Sequence, residues 1–243
     1  MENDIRQLKK RFEELYDRAE TRGYAVYSDF LTLAEQDVLL STVTSVELIG
    51  GYTAAERKIA CFGESYGAEP PCVWLKIEPR QQKFADKLTH RDFLGSLLGL
   101  GIKRELLGDI IIYENCGYLY CLESISGFIA DSLSSVKRTS VECKAVDAPP
   151  EISTGLPDES VMTVASARLD ALVAEVFNLS RSQSAELFAA ELVFVNARVA
   201  RKPAAEPNEG DIISVRGKGR FIYGGALGET KKGRLRVSVR VYK

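Results

Sequence analysis

The chain has 243 residues, 45% of them hydrophobic and 27% charged, with a formal net charge of −2. That length allows one large domain or two to three small ones. No apolar run of about 18 residues is present to span a bilayer, and the first residues lack the apolar core of a secretory signal.

The N-terminal 20 residues predict a helix. Ile5, Leu8, Phe12, Leu15 and Tyr16 form an apolar stripe with charges elsewhere. The stripe serves either as a partner surface or as the core face of a small helical subdomain. Residues 31–43 predict a second helix with Thr32 as its cap, and Gly50-Gly51 breaks the pattern. Residues 57–62 and 72–77 read as strands around the loop 63–71. The five cysteines, Cys61, Cys72, Cys116, Cys121 and Cys143, are odd in number and lack C-x-x-C spacing. They are expected to be reduced and packed as small apolar groups, with no zinc site.

From residue 73 to 146 the order is strand (73–77), helix (within 83–100), strand (109–113), strand (118–122), helix (126–136), strand (140–146). This is the split β-α-β order of ferredoxin-like and RNA-recognition folds. The two middle strands are joined by a hairpin turn at Glu114-Asn115-Cys116-Gly117. Strand alternation puts Tyr118 and Tyr120 on one face, where aromatics of RNA-recognition sheets stack bases. Two readings stay open for them, base stacking or ordinary half-buried packing. His90 is the single histidine. Without Ser, Cys or a second His placed around it, nucleophilic or metal chemistry has little support.

Residues 147–160 hold three prolines and no periodicity, and read as a linker. The segment beyond differs in charge. Residues 161–243 carry 14 Lys+Arg against 8 Asp+Glu, whereas residues 1–160 carry 18 against 26. A basic third attached to an acidic body makes that third fit for a nucleic-acid partner despite the acidic whole. Leu169, Leu172, Val173, Val176 and Phe177 mark one helix. Ala185, Phe188, Ala189 and Leu192 mark a second. Ser180 with Gln183 fits a capping box, so the second helix should begin at Arg181. Residues 193–199 alternate as one strand, and Gly210-Asp211 turns into another at 212–216.

The polar residues of this third point to RNA. Arg168 and Arg181 fall in the first turns of the two helices, and Ser180 and Ser182 flank the second. Helix-start N–H groups favour an anion, and the arginine fork matches phosphate. Arg198, Arg201, Lys202, Arg216, Lys218 and Arg220 extend the positive set. Glycines within the 216–220 loop let backbone approach phosphates. After residue 220, residues 221–223 and 234–242 are strand-like.

Ala-Arg-Leu-Asp at 167–170, Ser-Arg-Ser-Gln at 180–183, Val-Phe-Val-Asn at 193–196 and Gly-Asp-Ile-Ile-Ser-Val at 210–215 resemble the RNA-binding domain named after small-subunit ribosomal protein S-four. The resemblance implies two helices docked on RNA and backed by a small sheet. Many members have glycine where this chain has Glu191 and Ala197. The run from His90 to Gly95, Gly99 to Arg104 and Gly108 to Ile110, and the tail motifs at 216–221 and 229–234 with Lys231 and Lys232, resemble the YlmH family. With them the resemblance spans roughly residues 58–243.

The expected fold is α+β. It comprises a helical or mixed N-terminal subdomain (1–72), a ferredoxin-like, RNA-recognition-like middle domain (73–146), the linker (147–160) and a small S-four-type α/β domain (161–243). The family resemblance implies a cytoplasmic, non-catalytic protein without cofactor. It would be a monomer docking on ribosomal RNA or tRNA, at the large ribosomal subunit with peptidyl-tRNA during rescue of stalled translation. Two alternatives remain from the sequence. An RNA-modifying enzyme is disfavoured by the lack of a glycine-rich nucleotide loop. A protein-interaction adaptor linked to cell division would use the acidic half.

Overall fold

The computed structural model describes residues 2–150 and 155–242. It divides into two compact units, Met1–Gly155 and Leu156–Lys243. The expected N-terminal and middle subdomains therefore share one unit. Of the expected linker, residues 151–154 lie outside the described residues.

In the first unit, helix α1 (Glu2–Arg22) buries Phe12 and Ala19 and leaves Ile5 exposed. Strand β1 (Val26–Tyr27) leads to helix α2 (Leu33–Leu40). Thr32 caps α2 in a full capping box with Glu35, which pairs two orphan helix-end donors. Strands β2 (Glu47–Ile49) and β3 (Ile59–Phe62) follow and form the antiparallel sheet β1-β3-β2. All four β3 residues are buried. Ala60 and Phe62 pack into the core under α1 and α2, whereas Ile59 joins a second core shared with the larger sheet.

That larger sheet is built from β4 (Cys72–Pro79), β5 (Leu107–Tyr113), β6 (Cys116–Leu122), β7 (Ser135–Val136) and β8 (Thr139–Val146). Helix α3 (His90–Gly99) lies between β4 and β5, and α4 (Glu123–Ser132) between β6 and β7. The order is β5-β6-β4-β8-β7, and every pairing is antiparallel. The β5–β6 turn has two residues, Glu114 (φ 47°) and Asn115 (φ 63°), the left-handed pair that suits strand twist. One sheet face, with Leu75, Ile77, Leu119 and Val141, packs against Phe93 and Leu97 of α3 and Ile129 of α4.

The opposite face is covered. Trp74, Ile111, Tyr118 and Tyr120 pack with Tyr27, Phe30, Ile49, Tyr52 and Ile59 from the N-terminal segment. Gly51 is the point of closest approach: a Cβ there would lie 2.4 Å from Trp74 and 2.8 Å from Tyr120. A polar latch reinforces the contact. The Asp109 carboxylate accepts from the Glu56 N–H (2.7 Å) and the Tyr52 hydroxyl (3.2 Å). The Arg57 guanidinium donates to the carbonyls of Phe30 and Leu107 (both 2.9 Å). Burial pushes the pKa of Arg57 down and that of Arg104 down to about 10.

The second unit is a six-stranded antiparallel sheet with two helices. It contains β9 (Glu159–Val164), α5 (Leu169–Val176), α6 (Arg181–Ala189), β10 (Val193–Val195), β11 (Arg198–Val199), β12 (Ile212–Val215), β13 (Gly219–Glu229) and β14 (Leu235–Val241). The strand order is β11-β10-β12-β13-β14-β9. Leu172 and Val173 of α5 and Phe188 of α6 pack on Val193, Ile213, Phe221, Val237 and Val239.

Several details differ from expectation. The helix read over 126–136 runs from Glu123 to Ser132, and Ser135–Val136 form strand β7. Strand β9 begins inside the stretch read as linker, because it gains regularity only by pairing with β14 along its length. Residues 193–199 are a hairpin, not one strand, turning at Asn196 (φ 46°) and Ala197 (φ 64°).

Candidate nucleic-acid interface

The starts of α5 and α6 are set by their own sequences. Ser180 caps α6: its hydroxyl accepts from the Gln183 N–H (3.2 Å), and the Gln183 side chain accepts from the Ser180 N–H (2.9 Å). Ser180 and Ser182 hydroxyls are 2.9 Å apart. The helices meet through Asn178 at φ 52°, a left-handed position that asparagine tolerates, and through the Ser184 hydroxyl, which donates to the Asp170 carbonyl (2.9 Å).

This packing brings Arg168 and Arg181 to one concavity of about 320 Å³, lined also by Ala165, Ser166, Asp170 and Ala171. Arg168 forks onto Asp170, with Nε to Oδ1 at 3.1 Å and Nη2 to Oδ2 at 2.5 Å. The contact raises the Arg168 pKa and fixes where its guanidinium points. Arg181 and Ser182 are exposed at the first turn of α6.

The α5 helix start does not offer its N–H groups to an anion. Leu169 N–H donates to Ala205 (2.8 Å), Asp170 N–H to Pro203 (3.0 Å), and Ala171 N–H to the Asp170 carboxylate (2.9 Å). The anion-binding capacity of that end therefore rests on the Arg168 side chain rather than on helix-end donors.

A smaller adjoining concavity of about 240 Å³ shares Ala165, Ala171 and Arg181 and adds Arg234. Arg234 donates to the Thr163 carbonyl (2.7 Å) and lies 3.8 Å from Glu175. It is not among the sequence-derived candidates. The pairing of β14 with β9 carries it there, and only a recognised β9 would have pointed to it.

The remaining basic residues are dispersed. Arg198 lies on edge strand β11, at the opposite sheet edge from β9. Arg201 is 3.6 Å from Glu191, and Lys202 is exposed in the following loop. Arg216 sits over the Phe194 ring at 5.6 Å and Arg220 over Tyr242 at 4.3 Å, with Lys218 at the turn between them. Lys231 and Lys232 occupy the β13–β14 turn. Arg168, Arg181 and Arg234 are thus a cluster, and the others flank the sheet.

Tyr118 and Tyr120 do not form a base-stacking platform. They are 8% and 7% exposed. Tyr120 packs edge-on against Phe30 at 5.7 Å and beside Trp74 at 4.9 Å. A base would reach these rings only if the N-terminal segment left the sheet. All five cysteines are free, and burial raises their pKa values, that of Cys143 to about 11. Among the described residues no group of three His, Cys, Asp or Glu side chains is placed to hold a metal ion, and no helix is long and apolar enough to cross a membrane.

A mixed α/β chain of antiparallel sheets, carrying an arginine cluster between two helix starts, has the features of a nucleic-acid-binding protein. Residues 75–149 match the family model described as "Putative RNA-binding domain in YlmH". Over 223 residues the chain is 34% identical to "Ribosome-associated protein quality control protein P2" of Bacillus subtilis (strain 168), covering 87% of this chain and 85% of that protein. The chain belongs to the YlmH family. A solved structure, "Cell division protein ylmH from Streptococcus pneumoniae", aligns at 20% identity with a TM-score of 0.47, covering 59% of this chain and 91% of that one.

Proposed function

We propose that this protein is a non-catalytic, cytoplasmic RNA-binding factor. In this reading it acts as a monomer on ribosomal RNA or tRNA at the large ribosomal subunit, in the quality control of stalled translation. The second unit is its S-four-type docking module, and residues 73–146 form a ferredoxin-like domain backed by the N-terminal segment. The observation that carries the reading is the convergence of Arg168 and Arg181 on one open concavity between two helix starts. Forked guanidinium donors in a solvent-open hollow suit a phosphate, and Asp170 holds one of them in place. The ribosome-associated relative supports the choice of RNA.

The test is co-sedimentation of the full chain with ribosomal subunits across a salt series. Each phosphate neutralised contributes a log–log slope of roughly −0.7 to −0.9, so binding should weaken steeply with salt and fall further in Arg181→Glu. Binding to neither subunit at low salt, or turnover of bulk RNA by the purified protein, would overturn the proposal.

A further inference from the structure

The connection between β4 and α3 carries an exposed aromatic ring beside basic side chains. Phe84, closing the 3₁₀ turn Gln82–Phe84, is 78% exposed. One exposed apolar side chain is ordinary; its setting is not. The loop is tied down on both sides. Asn115 accepts from the Leu88 N–H (2.8 Å) and donates to the Asp86 carbonyl (3.0 Å), while the Asp86 N–H donates to the Thr139 hydroxyl (2.9 Å). Phe84 is therefore displayed by an anchored loop.

One cation lies against the ring and others follow it in sequence, in a unit whose sequence is acidic overall. Lys83 Nζ lies 5.8 Å from the Phe84 ring centroid. Lys87 and Arg91 follow along the same run, both exposed and without a carboxylate partner among the described residues. The β7–β8 turn adds Lys137 and Arg138, drawn in by Asp92 (2.8 Å) and Asp86 (3.4 Å). Those two carboxylates are consumed by the pairs. The Gln82 amide donates to the Glu114 carbonyl (3.5 Å).

This edge lies inside the stretch that matches the RNA-binding-domain family model, whose sheet face is covered. We propose that it is the RNA contact of the first unit: Phe84 stacks on an unpaired base, and Lys83, Lys87 and Arg91 hold the flanking phosphates. An exposed aromatic amid unpartnered cations is the combination that single-stranded or looped RNA uses, since every base has a π-face and every linkage a charge. An acidic protein surface would need the cations but not the ring. The inference rests on the RNA-binding reading above, but on different residues.

The sole tryptophan, Trp74, is buried, so Phe84→Trp places a fluorophore at the site over a constant background. The full-length variant is titrated with an RNA hairpin carrying an unpaired loop and with a blunt duplex of the same stem. Stacking predicts quenching by the hairpin and not by the duplex. Phe84→Ala should weaken hairpin binding about five- to a hundredfold, the scale of one base–aromatic stack, while Phe84→Trp retains it. If Phe84→Ala binds the hairpin like the parent while Arg181→Glu loses it, the second-unit reading stands and this one falls. If the parent binds neither RNA, both fall. If Phe84→Ala keeps RNA affinity but no longer co-sediments with ribosomes, the surface takes a protein and the proposal is overturned.

Discussion

Trp74 and Tyr120 are register partners on β4 and β6 with ring centroids 4.9 Å apart, and Gly51 rests against both. The relation explains why the sheet face carrying Tyr118 and Tyr120 is closed: a glycine lets backbone of the N-terminal segment lie directly on the Trp74 and Tyr120 rings.

Replacing Gly51 with Val should pry the segment loose. The added Cβ would stand 2.4 Å from Trp74, and overpacking of this kind costs about 1–3 kcal/mol. A lower thermal midpoint and a red-shifted Trp74 emission are expected. Tyr120→Leu should likewise lose about 0.5–1.5 kcal/mol of aromatic pairing while RNA affinity stays constant. A folded Tyr120→Leu protein with weakened RNA binding would return that tyrosine to the RNA surface.

Asp109 is the polar counterpart of that contact. Asp109→Ala leaves the Glu56 N–H and the Tyr52 hydroxyl without the acceptor they use. Hydrogen bonds to a charged group are worth about 1.5–3 kcal/mol. Urea denaturation should show a lower midpoint with an unchanged m-value. An unaltered midpoint would mean that the aromatic contact alone holds the segment.

What is legible in the sequence follows from the range of each interaction. The α6 start at Arg181 is readable because Ser180 and Gln183 form the cap between themselves, three residues apart. The β5–β6 hairpin is readable because Glu114-Asn115 sits between two apolar runs. Strand alternation places Tyr118 and Tyr120 on one face, but cannot say what covers it. The cover comes from Tyr27, Phe30 and Ile59, far away in the chain. Strand β9 escapes a local reading for the same reason, since its regularity comes from β14. The hairpin at 193–199 reads as one strand because Asn196-Ala197 preserves the alternation and lacks the glycine that marks such turns. At the candidate site, Arg168 and Arg181 are legible from helix starts, but their shared concavity and the arrival of Arg234 depend on tertiary packing.

Glu191 and Ala197 stand at φ 53° and 64°, in the left-handed region that favours glycine. A left-handed backbone costs an L-residue about 1–2 kcal/mol, and the extra unfolded-state freedom of glycine returns about 0.4–1 kcal/mol of that. Glu191→Gly and Ala197→Gly should therefore each raise stability by up to about 1.5 kcal/mol. Ala174→Gly, within α5, should lower it by about 0.5–1 kcal/mol. Calorimetry of the three variants checks the sign, and a lower melting temperature in both turn variants would contradict the strain argument.

Arg168 and Arg181 line the same hollow but are not equivalent. The Arg168 fork is already engaged by Asp170, so part of its donor set is occupied before RNA arrives. Arg181 has no such carboxylate among the described residues. Arg181→Glu should therefore lose at least about 1.5–3 kcal/mol against the parent, the scale of a charge-assisted hydrogen bond, with repulsion added, and more than Arg168→Glu loses. Arg181 is exposed, so the variant should melt like the parent, and Arg6→Glu on α1 should bind like it. The salt slope should become shallower by roughly 0.7–0.9 for each phosphate that is no longer neutralised. Equal affinities and slopes for parent and Arg181→Glu would move the docking surface away from the helix starts. The next residues to test would be Arg216, Lys218 and Arg220, whose arginines are held over Phe194 and Tyr242.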